Sequence, residues 1–422
     1  MFGYRRPEAY PVYLTLEGGG ALFFSMIATI NLVYQIQVAG LGPLQLVLVG
    51  TMLESCSLVF QVPTGLLADV YSRRLSVIVG ALLMGLGFLV EGSFPVFGAI
   101  LLAQVVWGIG YTFTSGAQEA WIAGEVGEER VGHVYLRGAQ AAQLGTLIGA
   151  LISVGLGSIR LNLPIVAGGT LFLALGLSLA LTMPERGFRP APRTERNSLQ
   201  AIGAAFMSSR ALLRRRPLLF TFLGIAAIYG MSSEGFDRLW QIHILHDIGM
   251  PSLLGFSYVV WFGVISVVTM LLSILATEVV RRTLDMNSHR AIAWTLFAIN
   301  ALRIAAIVVF GLAANFTLAL AAFWTTTVLR RTNVPIYTAW LTRSIDGRVR
   351  ATVLSMSSMA DSIGQIGGGL VVGAIGSLIS LPAALVTTGA VLAPALPLFT
   401  RAVRQDAASL PPAAEVAAGE PR

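Results

Sequence analysis

The chain lacks lysine altogether, contains a single cysteine, Cys56, and is only 12% charged. A soluble domain carries about twice that charged fraction. One cysteine forms no intrachain disulfide, and without a cysteine cluster no metal site is predicted. The net charge of +7 comes from arginine alone. We ascribe it to loops that face anionic lipid, and it does not indicate a nucleic-acid partner.

Long apolar runs are abundant instead. The chain is 55% hydrophobic, and runs of about 20 residues, the length of a membrane span, recur throughout. The first begins near Tyr10, carries Glu17 and is too long for a signal peptide. Only helices satisfy their own backbone hydrogen bonds in lipid. We therefore predict an all-α membrane protein with twelve transmembrane helices, at 11–38, 43–67, 75–92, 96–123, 132–158, 162–183, 217–243, 251–280, 290–311, 315–341, 349–377 and 380–400.

The placement of arginine predicts the orientation. Alternate loops carry arginines, from Arg5 and Arg6 to Arg401 and Arg404, whereas the opposite loops, such as VAGLGP and EGSFP, are nearly bare. Arg160 is the main exception. By the positive-inside rule, both termini are expected in the cytoplasm.

A proline- and arginine-rich segment, 184–216, divides the chain. It predicts a cytoplasmic linker between an N-terminal six-helix half, 1–183, and a C-terminal six-helix half, 217–400. A short surface helix is expected around 199–213. The polar end, 401–422, predicts a disordered cytoplasmic tail.

The two halves resemble each other in sequence. Residues 129–145 parallel 347–364, and LLADVYSRR at 66–74 parallels LATEVVRR at 275–282. Because each half has six spans, both halves have the same orientation. The sequence thus predicts a parallel repeat with a pseudo-twofold axis along the membrane normal.

The loop between spans two and three, GLLADVYSRR at 65–74, places glycine and aspartate before two arginines. With the six-plus-six topology, it resembles the signature loop of the major facilitator superfamily. The resemblance implies that Asp69 caps the N-terminus of span eleven, that Gly65 permits close helix approach, and that the arginines form a charge latch on the cytoplasmic side. The alternative is a solvated, orienting loop. The predicted gate comprises Gly65, Asp69, Arg73, Arg74, Glu119 and Arg130.

Four further segments, SGAQEAWIAGEVGEE, GFDRLWQ, PIYTAWL and RATVLSMSSMADSIGQIGGG, are similar to bacterial tetracycline- and macrolide-resistance efflux pumps. The similarity implies a drug:proton antiporter of the bacterial inner membrane, acting as a monomer by alternating access. It would export a small amphipathic molecule and use the proton gradient without a cofactor. Two features depart from such pumps. Gln104 stands where an arginine is frequent, and GTLIGALISVGLG at 145–157 lacks the usual proline.

Ionisable groups within spans are costly and therefore candidates for function. The predicted proton-coupling residues are Glu54, Asp361, Glu17 and Glu234, and the alternative for each is a static ion pair between helices. Asp237 and Arg238 are predicted to form an outer gate or a local network. The arginines of spans nine and ten require anionic partners.

Aromatic side chains suit a cavity for large amphipathic cations. The predicted cavity residues are Trp107, Tyr111, Tyr229, Phe236, Trp240, Arg303, Trp324 and Tyr337. The alternative is that aromatics near span ends anchor the helices at the membrane interface.

Three other classes of function are alternatives. An exporter of an endogenous metabolite, siderophore or lipid fits the same sequence. A non-transporting receptor would not need carboxylates within the membrane. An intramembrane enzyme is disfavoured because the four histidines, at 133, 243, 246 and 289, are predicted near loops. The sequence shows no phosphate-binding loop for ATP.

Overall fold

The computed structural model describes residues 8–188, 190, 217–251, 257–285, 288–343, 345 and 350–409. Within these ranges all regular structure is helical. In chain order the α-helices are α1 Ala9–Gln37, α2 Pro43–Val70, α3 Arg73–Ser93, α4 Phe97–Thr114, α5 Ala117–Val126, α6 Glu128–Ile159, α7 Leu163–Thr182, α8 Pro217–His243, α9 Tyr258–Thr283, α10 His289–Gly311, α11 Phe316–Arg343, α12 Arg350–Leu378, α13 Leu381–Leu392 and α14 Ala395–Ser409. A π-helical turn, Ile244–Ile248, follows α8.

The predicted all-α membrane class is confirmed. Ten helical stretches in the described ranges are long and apolar enough to cross a membrane. The remaining two, α11 and α12, have 28 and 29 residues. They are less apolar because α11 carries Arg330 and Arg331, and because α12 carries Asp361 and Gln365 among glycines. With these two, the helices account for all twelve predicted spans.

Span four is one apolar stretch, Phe97–Val126, as predicted, but it contains a break that was not predicted. It breaks between α4 and α5 at Gly116, whose φ of 77° lies in the left-handed region that favours glycine. Span twelve breaks at Pro394, between α13 and α14, because proline lacks the backbone N–H that a continuous helix uses. The helix α14 then continues to Ser409, so the predicted tail is helical from 401 to 409. Residues 410–422 and the predicted helix at 199–213 lie outside the described residues.

Two compact units divide the chain. The first falls within Met1–Ile202 and Arg238–Val268, and the second within Gly203–Asp237 and Thr269–Arg422. The domain boundaries at 183, 216 and 400 stay a prediction.

Glycines allow α1 and α6 of the first unit to pack backbone against backbone. A Cβ added to Gly145 would collide with the carbonyl oxygen of Gly18, and one added to Gly149 would collide with that of Leu22. Small residues four apart are a common means of such close approach between membrane helices.

The second unit repeats this contact between α8 and α12. A Cβ on Gly364 would meet the carbonyl oxygen of Ala227, and one on Gly368 would meet that of Met231. The predicted repeat aligns Gly364 with Gly145, so the same helix contact occurs at matching positions of both halves.

Candidate substrate cavity and polar clusters

A cavity of about 540 Å³ lies in the first unit. Its wall is mostly apolar and is formed by side chains of α1, α2, α3, α4, α5 and α7. Two carboxylates line it, Glu17 from α1 and Glu54 from α2. Two predicted proton-coupling residues on different helices therefore face one space, whose volume is typical of small-molecule sites.

Glu17 is held by a residue beyond the break in span four. The Nε2 group of Gln118 donates to Oε1 of Glu17 at 2.7 Å, and Gln118 also lines the cavity. Gln118 lies on α5, directly after the turn at Gly116. Gln118 was not predicted as a site residue, because the break that precedes it was not predicted.

Aromatic rings form one side of the cavity. The indole of Trp107 stacks on Phe88 with ring centroids 5.1 Å apart and lies 6.5 Å from the ring of Tyr111. Phe24 approaches Trp107 at 6.0 Å. The predicted cavity residues Trp107 and Tyr111 both line the cavity, together with Phe24 and Phe172, which were not predicted.

A fully buried carboxylate, Glu91, lies behind this aromatic wall and has 0% exposure. Gln35 donates to its Oε1 at 2.7 Å, and Gln104 donates to its Oε2 at 3.1 Å. The indole N–H of Trp107 in turn donates to Oε1 of Gln104 at 2.9 Å. The charge of Arg238, a predicted outer-gate residue, acts on Glu91. Glu91 was predicted to lie in the loop EGSFP, which was wrong because α3 extends to Ser93.

The second unit contains a network around Arg303, which is 4% exposed. Its Nη1 donates to Oδ1 of Asn300 at 3.0 Å, and its guanidinium lies 5.8 Å from the centre of the Tyr229 ring. Asn300 donates to the hydroxyl of Tyr229 at 2.9 Å and to Oδ1 of Asn333 at 3.0 Å. The predicted residues Arg303 and Tyr229 thus come together, joined by two asparagines that sequence reasoning missed.

An ion pair lies in the same unit. Arg330 Nη1 contacts Asp237 Oδ2 at 2.7 Å, with both side chains partly exposed. This identifies the anionic partner that span ten required. The charges of Asp361 and Glu234 also act on Arg330, and Asp361 accepts a hydrogen bond of 2.8 Å from Gln365. Three predicted carboxylates of the second unit therefore influence one guanidinium.

Two predicted cavity residues of the second unit are packed into its interior. Phe236 is buried against Phe310 and Phe323, with ring centroids 5.4 and 6.1 Å away. The hydroxyl of Tyr337 donates to the carbonyl of Phe222 at 2.7 Å. Their contact with a substrate stays a prediction.

Near the end of α8, Trp240 packs edge-on against Phe262 at 5.4 Å. His243 is 1% exposed and lies 2.7 Å from Asp247. It is the last residue of α8, at the predicted end of span seven. Trp324 on α11 is partly exposed. For Trp240 and Trp324, substrate contact stays a prediction.

The gate loop makes well-defined contacts within the first unit. Arg73 Nη2 lies 3.1 Å from Asp69 Oδ1, and Arg73 Nη1 donates to the carbonyl of Ala120 on α5 at 2.9 Å. The backbone N–H of Arg74 donates to Glu185 at 2.9 Å, and the hydroxyl of Ser72 donates to the same carboxylate at 2.7 Å. Glu185 was not predicted, although it follows span six among the linker arginines.

Close helix approach at Gly65 was wrong for this structure. No heavy atom of another helix in the described part of the chain lies within 4 Å of a Cβ built there. The neighbouring Thr64 makes the contact instead, donating to the carbonyl of Thr112 on α4 at 3.0 Å. Glu119 and Arg130 are exposed. The proposed cap of Asp69 on span eleven stays a prediction, because residues 346–349 lie outside the described ranges.

The long apolar helices indicate a multi-pass membrane protein, and its first unit contains a cavity lined by carboxylates and aromatic rings. The family model of the Major Facilitator Superfamily matches residues 16–327, and the chain belongs to that family. A curated relative, the uncharacterized MFS-type transporter YxaM of Bacillus subtilis (strain 168), is 23% identical over 362 residues. The match covers 85% of this chain and 87% of the relative.

Solved transporters share the fold at low sequence identity. A mutant of the nucleoside transporter NupG has a TM-score of 0.76 and 13% identity over 94% of this chain and 100% of that chain. A bacterial homologue of the human lysosomal transporter Spinster, inward-facing and unoccupied, has a TM-score of 0.76 and 15% identity over 97% and 100%. A POT family transporter with a thioalcohol-conjugated peptide has a TM-score of 0.70 and 12% identity over 94% and 95%. These similarities show the fold. With the family, they indicate a transporter and not an enzyme.

Proposed function

We propose that the protein exports amphipathic drugs of the tetracycline or macrolide type in exchange for protons, by alternating access. The observation that supports this most is the cavity of the first unit, where Glu17 and Glu54 face aromatic and aliphatic side chains. Its volume of about 540 Å³ suits a drug-sized molecule. Ionised carboxylates attract a cation, and aromatic faces add a cation–π contribution.

The same two carboxylates provide a means of exchange. Protonation removes the negative charge of Glu17 or Glu54 and with it the Coulombic attraction for a cationic substrate. Proton and drug therefore compete for one site, and this competition couples their movements in opposite directions. In this proposal the proton gradient is the energy source without a cofactor. The protein acts as a monomer in a bacterial inner membrane, with both termini in the cytoplasm.

The second unit contributes further candidates for coupling. Asp361 and Glu234 both act on the charge of Arg330, which is paired with Asp237. In this proposal, protonation of Asp361 removes its attraction for Arg330 and leaves Asp237 and Glu234 as the negative charges that act on this guanidinium. The contacts of Arg73 with Asp69 and Ala120 form the part of the cytoplasmic latch that lies within the first unit.

Drug-driven proton release from inverted membrane vesicles, followed with a dye for the pH gradient, tests the proposal. Tetracycline, a macrolide and ethidium are added to wild type and to Glu17→Gln, Glu54→Gln and Asp361→Asn. A drug should dissipate the gradient in wild type and fail to do so in at least one carboxylate variant. Glu129→Gln, at an exposed position of α6, is the matched control and should behave as wild type.

One outcome of this assay would contradict proton-coupled drug export. If no drug dissipates the gradient in wild type while the purified protein still binds one, proton-coupled drug export is wrong. An exporter of an endogenous metabolite then becomes the better interpretation.

A further inference from the structure

The cluster around Glu91 lies outside the predicted coupling residues, yet it adjoins the cavity wall. We propose that Glu91 is a proton-binding site linked to the cavity through Gln104 and Trp107. The inference rests on the proposed proton coupling and assigns to it a residue and a route.

The hydrogen bonds to Glu91 come from amide side chains. Gln35 Nε2 donates to one carboxylate oxygen at 2.7 Å, and Gln104 Nε2 donates to the other at 3.1 Å. Asn31, one turn before Gln35 on α1, also hydrogen-bonds Glu91. An ionised carboxylate only accepts hydrogen bonds, so each amide must present its NH2 group. The carboxylate oxygens of Glu91 therefore have their hydrogen-bond donors when Glu91 carries no proton.

The same arrangement leaves acceptors without donors. Among the residues that the structure describes, the side-chain oxygens of Gln35 and Asn31 are buried and have no hydrogen-bond partner. Gln35 as a whole is 1% exposed. Such buried acceptors are unfavourable. A proton on Glu91 creates an O–H donor. A flip of the Gln35 side-chain amide, which exchanges its oxygen and its NH2 group, then allows the oxygen to accept from that donor. The site therefore has a second hydrogen-bonded arrangement that requires one proton.

Trp107 determines which of the two glutamine amides, Gln35 or Gln104, can flip. Its indole N–H, which can only donate, donates to Oε1 of Gln104 at 2.9 Å. Inversion of Gln104 would place an NH2 group against that N–H. Gln104 is therefore fixed, and the change occurs at Gln35. A substrate that displaces Trp107 withdraws this restraint from Gln104 and thereby alters one of the hydrogen bonds to Glu91.

The charged and titratable surroundings of Glu91 are limited. On α1, the hydroxyl of Tyr34 donates to the backbone carbonyl of Glu91 at 2.8 Å. On α8, the charge of Arg238 acts on the carboxylate and favours its ionised form. Helix α7, which packs against α3, has no ionisable side chain. The only ionisable side chain of α4, that of Tyr111, lines the cavity, and so does Glu54 on α2. Proton occupancy of Glu91 therefore depends on its burial, which disfavours the charged form, and on the opposing influence of Arg238 and the amides.

Infrared pH titration of the purified full-length protein in lipid nanodiscs tests the site, because a protonated carboxyl has its own C=O stretch. Because the other carboxyl groups of the chain also take up protons, the readout is the pH difference spectrum of each variant. One carboxyl component that appears as the pH falls should be present in wild type and in the control Glu129→Gln, and missing from Glu91→Gln. Trp107 fluorescence, obtained by subtracting the signal of Trp107→Phe, should change over the same pH range. Gln104→Met should keep the band and lose the fluorescence change.

Persistence of the band in Glu91→Gln would overturn the proton site, and persistence of the fluorescence change in Gln104→Met would overturn its link to the cavity. If Glu91→Gln does not fold, Glu91→Asp serves instead. Glu91→Asp should shift the carboxyl band, and an unshifted band would show that Glu91 is not the proton-binding group.

The transport assay separates this inference from the proposed function. Glu91→Gln should lower drug-driven proton release by about tenfold or more while drug binding remains, and unchanged proton release would contradict a coupling role. If wild type releases no protons with any drug, the export proposal fails. The infrared titration, which needs no substrate, still decides whether Glu91 binds a proton.

Discussion

Substitution of Gly149 by alanine tests the backbone contact between α1 and α6. The added Cβ meets the carbonyl oxygen of Leu22, which belongs to a helical backbone and cannot move aside as a flexible side chain would. The two helices must separate, and overpacking of this kind costs about 1–3 kcal/mol. Alanine also improves helix propensity by about 1 kcal/mol, which offsets part of that cost.

Gly155→Ala on the same helix is the matched control. Within the described residues, no heavy atom beyond its own helical backbone and chain neighbours lies within 4 Å of a Cβ at Gly155. Both variants gain the same helix propensity, so the difference between their free energies of unfolding isolates the contact. We expect Gly149→Ala to be less stable than Gly155→Ala by about 1–3 kcal/mol.

Cys56 provides the assay. It is the single cysteine of the chain, lies on α2 and is 8% exposed, so a thiol-reactive fluorogenic dye should label it when the first unit unfolds. On heating, Gly149→Ala should become labelled at a lower temperature than Gly155→Ala, with Cys56→Ser as the blank. Equal midpoints for the two glycine variants would refute the close contact of α1 and α6.

The same dye tests the gate loop. Glu185→Gln should weaken the N-terminus of α3 by about 0.5–2 kcal/mol, because Glu185 accepts from the hydroxyl of Ser72 and the backbone N–H of Arg74, and an unchanged midpoint would contradict this. In the second unit, Asp237→Asn removes the partner of Arg330 and should lower transport by roughly fivefold, the effect of about 1 kcal/mol. The double exchange Asp237→Arg with Arg330→Asp should restore part of the activity, and wild-type transport in Asp237→Asn would show that the ion pair is dispensable.

The helices were predictable because the length of an apolar run determines whether it spans a membrane. Breaks of the helix within an apolar run were not predictable. The sequence on both sides of Gly116 is compatible with helix, and the turn depends on a positive φ that other residues rarely adopt. For the tail, the error was the opposite, because a helix was found where none was predicted. Its polar composition indicated disorder, but α14 continues to Ser409.

The residue types of the site were predictable, and their pairings were not. Glu17 and Glu54 stood out as carboxylates within apolar runs, and both line the cavity. The partner of Glu17 is 101 residues away in the chain, and that of Arg330 is 93 residues away. Such pairs arise only from tertiary packing.

Glu91 was missed for a different reason. It precedes Gly-Ser-Phe-Pro, a composition typical of a loop, and nothing local shows that α1 directs Gln35 toward it. One signal was present, since Gln104 stood out as an uncharged residue in place of a frequent arginine. Its partner could not be identified from the sequence.

The glycine contact between α1 and α6 also affects how this transporter can evolve. The close approach of the helix pair involves backbone atoms of Gly18 and Leu22, whereas the cavity is shaped by side chains such as Phe24 and Trp107. A substitution in the wall can therefore change which molecules fit without loosening the helix pair. The shape of the cavity can thus change one residue at a time while the scaffold is inherited unchanged.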